Sequence, residues 1–154
     1  MTVYVLALLI GIVAGLRAMT APAMVSWAAN LGWLDLSGTW FDFLSNTWVR
    51  WILTLLALVE FVTDQLPSTP SRTVPVQFGA RIFTGALSGA AIGSSSGSMI
   101  GGLVAGVLGA VIGTLGGRAM RARLAAAFGS DRPAAITEDV IAIAGAVLIV
   151  MALR

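Results

Sequence analysis

Three residue types that carry much of protein chemistry are missing from this sequence of 154 residues, which has no cysteine, no histidine and no lysine. Without cysteine the chain can form neither a disulfide nor a thiolate nucleophile. Without histidine it lacks the usual general base and the commonest metal ligand, which excludes a serine–histidine triad. Without lysine a serine–lysine dyad is excluded as well. The sequence therefore predicts a protein that is not an enzyme and that holds no metal and no cofactor.

Charge is also scarce along the whole chain. Only 10% of the residues are charged and 58% are hydrophobic, with a mean hydropathy of +0.94, whereas soluble domains carry about 25% charged residues. A water-soluble fold is therefore not expected, and the lipid bilayer is the predicted surrounding. Residues 1–154 suffice for a single domain with four to six spans of about 20 residues. The arginines form no stripe with interleaved aromatic residues, so nucleic acid is not an expected partner.

Glycine is abundant where charge is absent. The segment Phe78–Gly117 carries one charge, Arg81, and repeats glycine about every fourth residue. The repeated positions are Gly85, Gly89, Gly93, Gly97, Gly101, Gly102, Gly106, Gly109, Gly113 and Gly117. Glycine costs a soluble helix about 1 kcal/mol per site relative to alanine, but in a membrane it lets two helix backbones approach closely. The segment predicts a transmembrane helical hairpin that turns at residues 94–98, with glycine contacts either between its arms or between protomers of a homo-oligomer.

Three further apolar stretches predict transmembrane helices. They are residues 3–29, 48–62 and 137–153. The first contains Arg17 and Pro22, and because proline removes a backbone hydrogen bond, we expect this helix to be broken or bent there. Polar loops follow the first two stretches, one rich in tryptophan and one with three prolines. With the two arms of the hairpin, the predicted fold is a compact all-α integral membrane bundle of about five transmembrane helices.

The arginines predict how this bundle is oriented. Arg118, Arg121, Arg123 and Arg132 form the densest positive cluster, and the positive-inside rule places such a cluster in the cytoplasm. Five spans then put the turn at residues 94–98 outside, the N-terminus in the cytoplasm and the C-terminus outside. If Arg17 marks a hairpin rather than a kink, the number of spans becomes six and the N-terminus changes sides.

Arg17 is the strongest candidate for a functional residue. It is predicted to lie near the middle of the first span, where a charged side chain costs about 2.5–3.5 kcal/mol or more. It should therefore face a carboxylate, a water-filled cavity or the bundle interior. The candidate partners are Glu60 and Asp64, one helical turn apart, and the pair Glu138 and Asp139. These side chains form either a polar pathway that binds or relays an ion, or a structural ion pair.

The pair Glu138 and Asp139 has a simpler interpretation, which the sequence favours. Acidic residues in the first turn of a helix complement its dipole, and Thr137 directly before them is a suitable cap. On this interpretation the two carboxylates mark the beginning of the last span.

Motifs spread along the chain are together typical of one family. They are Gly15-Leu-Arg17, Leu31-Gly-Trp-Leu34, Leu58-Val-Glu60-Phe-Val-Thr-Asp64-Gln-Leu-Pro67, Thr69-Pro-Ser-Arg72-Thr-Val-Pro75, Gly79-Ala-Arg81, the glycine repeats and Glu138-Asp139. With these motifs nearly the whole chain resembles a bacterial membrane family known as domain of unknown function 4126. A lysine usually follows the motif aspartate in that family, whereas this chain has Gln65. The resemblance implies a protein of the bacterial inner membrane and supplies no established activity.

Two functions from different classes fit these observations. The first is a small transporter or channel for an ion or metabolite, with Arg17, Glu60 and Asp64 beside a polar pathway. The second is a structural or accessory membrane subunit, in which the charges are internal ties and the glycines mediate assembly. A hydrated cavity that reaches Arg17 would favour transport, and a dry, fully paired Arg17 would favour the structural role.

Overall fold

The computed structural model describes residues 2–66 and 71–154. Within these ranges the chain forms six α-helices and one short 3-10 helix, and no β-strand. The α-helices are α1 (Thr2–Leu16), α2 (Thr20–Asn30), α3 (Thr47–Thr63), α4 (Pro75–Ser94), α5 (Met99–Phe128) and α6 (Asp131–Met151), with the 3-10 helix at Asp42–Ser45. The prediction of an all-α fold is confirmed. The predicted proline loop at 67–75 lies partly outside the described residues.

Helices α1, α4 and α5 form the centre of the bundle, and glycine makes their close contact possible. Gly106 of α5 lies so near Gly85 of α4 that an added Cβ would collide with the carbonyl oxygen of Gly85. On α1, a Cβ at Gly11 would in turn collide with the backbone of Gly106. Because glycine has no Cβ, the helix backbones can touch directly.

The remaining glycines of the hairpin divide between these two partners. Gly102 lies against Gly89 and Gly93 of α4, whereas Gly109 and Gly113 lie against α1 between Leu8 and Ile12. The close glycine contacts of the hairpin therefore lie within one chain. They join its arms to each other and to α1, a third helix that the glycine pattern did not indicate.

The chain reverses between α1 and α2. Helix α1 runs alongside α5 in the same direction, since the hydroxyl of Tyr4 is 2.6 Å from that of Ser98 and Leu16 lies against Gly117. Helix α2 runs back, because the loop after it brings Trp33 beneath the guanidinium of Arg154. We call the end with the turn at residues 94–98 the serine end, and the opposite end, where α5 meets α6, the arginine end.

This reversal corrects the prediction of one bent span at residues 3–29. Residues 17–19 make a complete turn, so α1 begins at the serine end and not opposite it. Pro22 is the third residue of α2, in a first turn whose N–H groups have no partner within the helix. Pro22 therefore removes no hydrogen bond from α2 and does not break the helix. The turn itself contains no glycine and no proline, so the sequence pattern favoured a kink at Arg17, and the hairpin that was its alternative is the arrangement observed.

The joint between α5 and α6 also differs from the prediction. Helix α5 continues eleven residues past Gly117 to Phe128, so Arg118, Arg121 and Arg123 lie on a helix and not in a loop. The alanine-rich sequence of this extension favours helix, and Gly129 ends it with a φ of 70°. Helix α6 begins at Asp131 instead of Thr137.

The surface of the bundle is unusually apolar. Of the residues of α3, all of which the structure describes, only Ala57 is buried, and Trp48, Leu55 and Val62 are among its exposed side chains. Among the described helices, α5 and α6 are the two that are long and apolar enough to cross a membrane. Large exposed apolar surfaces mark a membrane or partner interaction.

The glycine contacts generate a first prediction, with a matched control in the same helix. Gly106→Ala should lower stability by about 1–3 kcal/mol, the usual cost of overpacking, because its Cβ meets the backbone of α4. Gly116→Ala should be neutral or slightly stabilising, since a Cβ there has nothing within 4 Å and alanine favours helix. Thermal unfolding of the purified protein in detergent measures both. Equal midpoints for the two variants would contradict the close-contact assignment.

A buried ion layer and a cavity form the candidate functional site

Charged residues from five parts of the chain meet where α1 reverses into α2. We call this group the ion layer. It consists of Arg17, Glu60, Asp64, Arg72, Arg81, Glu138 and Asp139, and it lies at the arginine end of the bundle. Of these, Arg17, Arg72, Arg81, Glu138 and Asp139 are buried. The layer lies at the level of Gly117, because a Cβ there would meet Arg72 at 2.9 Å and Glu138 at 3.3 Å.

Arg17 lies in the turn itself and is completely buried. Its Nε donates to Oδ1 of Asp139 at 2.6 Å, and its terminal nitrogens contact Asp64 and Asp139. The guanidinium also lies 5.6 Å from the ring centre of Phe61. Arg17 therefore ties the reversal to the end of α3 and to α6.

Glu60 binds the backbone at the beginning of α2. Its two carboxylate oxygens accept the N–H groups of Ala18 and Met19 at 2.8 and 2.9 Å. The first N–H groups of a helix have no partner within it, and the helix dipole is positive there. A carboxylate is thus the partner that this helix end requires.

Arg81 binds the other helix end created by the reversal. Its terminal NH1 donates to the carbonyl oxygens of Gly15 and Leu16, at 2.8 and 2.7 Å. These carbonyls end α1, where the dipole is negative and a cation is favourable. Arg81 also lies 3.9 Å from Glu60. The two opposed helix ends are therefore capped by two opposite charges that face each other.

Glu138 ties the arginine end together from α6. It is fully buried and forms a two-point pair with Arg72, of which one hydrogen bond measures 2.8 Å. Arg121 of α5 approaches Glu138 to 3.6 Å and also donates to Asp131 at 2.7 and 3.0 Å. Since Glu138 and Asp139 lie two turns inside α6, the prediction that they cap a helix beginning at Thr137 is wrong. Thr137 instead donates to the carbonyl of Pro133.

The structure thus brings together all five charged residues that the sequence singled out, and two of the four predicted partners of Arg17 contact it. Arg17 contacts Asp64 and Asp139 directly, whereas Glu60 caps the backbone and Glu138 binds Arg72. Arg17 also lies at the end of a helix and not in the middle of a span. Sequence reasoning missed Arg72, Arg81 and Arg121. For Arg81 a signal existed, because it is the only charge between Phe78 and Gly117.

A cavity of about 550 Å³ opens beside the ion layer at the arginine end. Its charged walls are Asp64, Arg72, Arg81, Arg118, Arg121, Asp131 and Arg132. Five arginines and two aspartates leave an excess of three positive charges on these walls. Arg17 does not line the cavity and lies behind its inner wall.

Comparison with known proteins adds a family and no function. A family model described as a domain of unknown function (DUF4126) matches residues 4–152. No curated protein and no solved structure matches the chain.

The pairing of Arg17 generates a second prediction. Arg17→Gln should lower stability by about 3–5 kcal/mol, the typical cost of leaving one partner of a buried ion pair alone. Adding Asp139→Asn removes part of the stranded charge and should recover much of this loss. Adding Asp131→Asn, a carboxylate at the mouth of the cavity that contacts Arg121, should recover nothing. Thermal unfolding in detergent of the wild type, the three single variants and the two double variants gives the coupling, and equal recovery by both second changes would contradict the assigned partners.

Proposed function

This chain belongs to the DUF4126 family, and from the geometry of its site we propose that it is a small transporter or channel of the bacterial inner membrane, for an ion or a small metabolite. The observation that carries the proposal is the charged cavity of about 550 Å³ in a bundle whose surface is otherwise largely apolar. Polar residues at such a position in a membrane bundle mark substrate or ion pathways.

The apolar surface supports a multi-pass membrane protein. Helices α5 and α6 have the length and composition of spans, and α3 exposes apolar side chains along its whole length. Tryptophans at residues 33, 40, 48 and 51 gather near the serine end, as in the aromatic belt of a membrane interface. The short helices α1 and α2 are then a hairpin set among longer spans, which gives the six-span arrangement.

The distribution of arginine supports one orientation. Seven arginines lie at the arginine end, and Arg50 and Arg154 lie at the other. The positive-inside rule then places the arginine end in the cytoplasm. Both the beginning of α1 and the end of α6 are outside in this orientation, whereas the five-span prediction had the N-terminus in the cytoplasm.

The reversal of α1 into α2 supports a pathway that continues from the cavity. Irregular backbone at membrane depth is tolerated where it is buried in protein or lines a cavity, and facing ends of short helices form the ion sites of many transporters. Here the cavity wall includes Arg81, which caps α1, and Asp64, which binds Arg17. In this proposal the ion layer forms the closed gate. The helices joined by the glycine contacts form the rigid wall beyond it.

A structural or accessory role is the second candidate, and the arrangement expected of it is present at Arg17, which the cavity does not reach. Arg17 is dry and paired with two carboxylates, as a permanent tie would be. On this reading α1, α4 and α5 form a rigid frame, and the exposed apolar face of α3 binds a second copy or another membrane protein. The flux measurement that follows separates the two candidates.

Flux through proteoliposomes tests the transport proposal. Re-swelling after an osmotic shift, followed by light scattering, should be faster than in empty liposomes for at least one of potassium chloride, potassium phosphate and sodium succinate. Ala122→Trp should slow it, because Ala122 lines the cavity and its side chain is exposed. Ala119→Trp, exposed on the same helix but outside the cavity wall, is the control. No protein-dependent flux, or equal rates for both variants, would favour the accessory role.

Labelling of single cysteines tests the six-span topology, and the chain has no cysteine of its own to remove. In whole cells an impermeant thiol reagent should label Thr2→Cys and Ser96→Cys, because both positions lie at the serine end. Ser71→Cys and Ser130→Cys should react only after permeabilisation, since both lie at the cavity. All four positions are exposed. If Thr2→Cys behaves like Ser130→Cys, the α1–α2 hairpin does not cross as we describe.

A further inference from the structure

We infer that the ligand of the cavity is a small oxyanion, a molecule that presents a carboxylate or phosphate group to Arg118 and Arg132. This inference rests on the proposed function and names the class of molecule that would use the site. It depends on the charge of the walls, on the arginines that lack a carboxylate partner, and on the size of the space.

The free positive charge is concentrated at the mouth. Arg118 and Arg132 line the cavity and are exposed, and neither forms an ion pair with any residue in the described ranges. The one polar contact that Arg118 makes within those ranges is a 3.3 Å hydrogen bond to the hydroxyl of Thr73. By contrast, Arg72 and Arg121 are already held by Glu138 and Asp131. The mouth therefore carries two guanidinium groups available to an anion.

The charges behind the wall lower this excess from three to one but do not remove it. Arg17 is shared by Asp64 and Asp139, Arg72 is paired with Glu138, and Arg81 faces Glu60. When these are counted with the cavity, six arginines oppose five carboxylates, so one positive charge remains. A cation would meet Arg118 and Arg132 before it could reach Asp64, whereas an anion is attracted at the mouth.

Two further residues of the cavity wall, Arg81 and Ser130, add to its attraction for an anion. The Nε of Arg81 is buried and, within the described part of the chain, has no hydrogen-bond partner, although Arg81 is only 1% exposed. Ser130, which precedes α6 and lines the cavity, makes no side-chain capping bond. The positive end of the α6 dipole thus also faces this space, and helix N-termini bind carboxylates and phosphates. The planar guanidinium group matches both anions with two parallel hydrogen bonds.

The volume limits the size of the ligand. About 550 Å³ is within the range of small-molecule sites, roughly 300–1,000 Å³. Two sources of such an anion exist at a cytoplasmic membrane face, namely a free metabolite and the phosphate of an anionic phospholipid headgroup. Both would use the same arginines, so the experiment must separate them.

Binding to the full-length protein in a neutral detergent tests the inference. At constant ionic strength, sodium phosphate or sodium succinate should raise the midpoint of thermal unfolding saturably, and sodium chloride should not. Arg118→Gln and Arg132→Gln should each weaken the apparent affinity roughly tenfold, since hydrogen bonds to charged groups are worth about that factor. Arg123→Gln is the matched control, because Arg123 is exposed on the same helix but is not part of the cavity wall.

Each outcome decides between the claims. If short-chain phosphatidylglycerol stabilises the protein through Arg118 and free anions do not, the oxyanion site stands and its ligand is a lipid headgroup. If Arg123→Gln weakens binding as much as Arg118→Gln, only diffuse surface charge is involved and the inference fails. If proteoliposomes conduct a cation but no anion binds, the inference fails and the transport proposal stands. Anion binding that depends on Arg118 without any flux leaves the site standing and overturns transport.

Discussion

The turn between α1 and α2 is the constraint on which the other features depend. A reversal inside an apolar bundle exposes the carbonyls that end one helix and the amides that begin the next, and unpaired groups of this kind are costly away from water. The chain pairs them with Arg81 from α4 and Glu60 from α3. Each capping side chain is itself a buried or half-buried charge and therefore requires an opposite charge nearby. For this reason the ion layer extends from the α1–α2 turn to the surface at the cavity.

The glycine contacts explain why this turn can stay dry. Gly11 and Gly15 of α1 lie directly against the backbone of α5, as does Gly89 of α4. Larger residues would separate the three helices and open a gap beneath the ion layer. The layer and the glycine-packed centre are therefore complementary. The ion layer pairs the buried charges around the turn, and the glycines bring the three helix backbones into direct contact on the serine side of them.

Individual residues show what the sequence could and could not reveal. The hairpin of α4 and α5 followed from glycine periodicity, which is local information. The importance of Arg17, Glu60 and Asp64 followed from the high cost of charge in an apolar segment, which holds for any fold. The reversal at Arg17 was only the alternative to a kink, because residues 17–19 lack glycine and proline and are held by side chains more than 40 residues away. Likewise, Glu138 resembled a helix cap because the sequence pattern ended one helix at Gly117 and began the next at Thr137. In the structure α5 continues to Phe128 and α6 begins at Asp131.

Arg17 is separate from the cavity, so the residue that holds the turn together is not one that could contact a ligand there. A single group cannot easily serve both as a permanent tie and as a binding site, since a ligand that replaced its partners would undo the turn it supports. In the proposed function these tasks belong to two sets of arginines. Arg17, Arg72 and Arg81 are buried and bind carboxylates or carbonyls, whereas Arg118 and Arg132 are exposed in the cavity wall. Asp64, Arg72 and Arg81 connect the two sets, because each has a partner in the ion layer and also lines the cavity. An anion that drew Arg121 away from Asp131 and Glu138 would leave those carboxylates in excess, and they would then compete for Arg72. Through such an exchange of partners, anion binding at the cavity would weaken the ion pairs of the layer behind it. A gated pathway requires this kind of coupling between ligand binding and the gate.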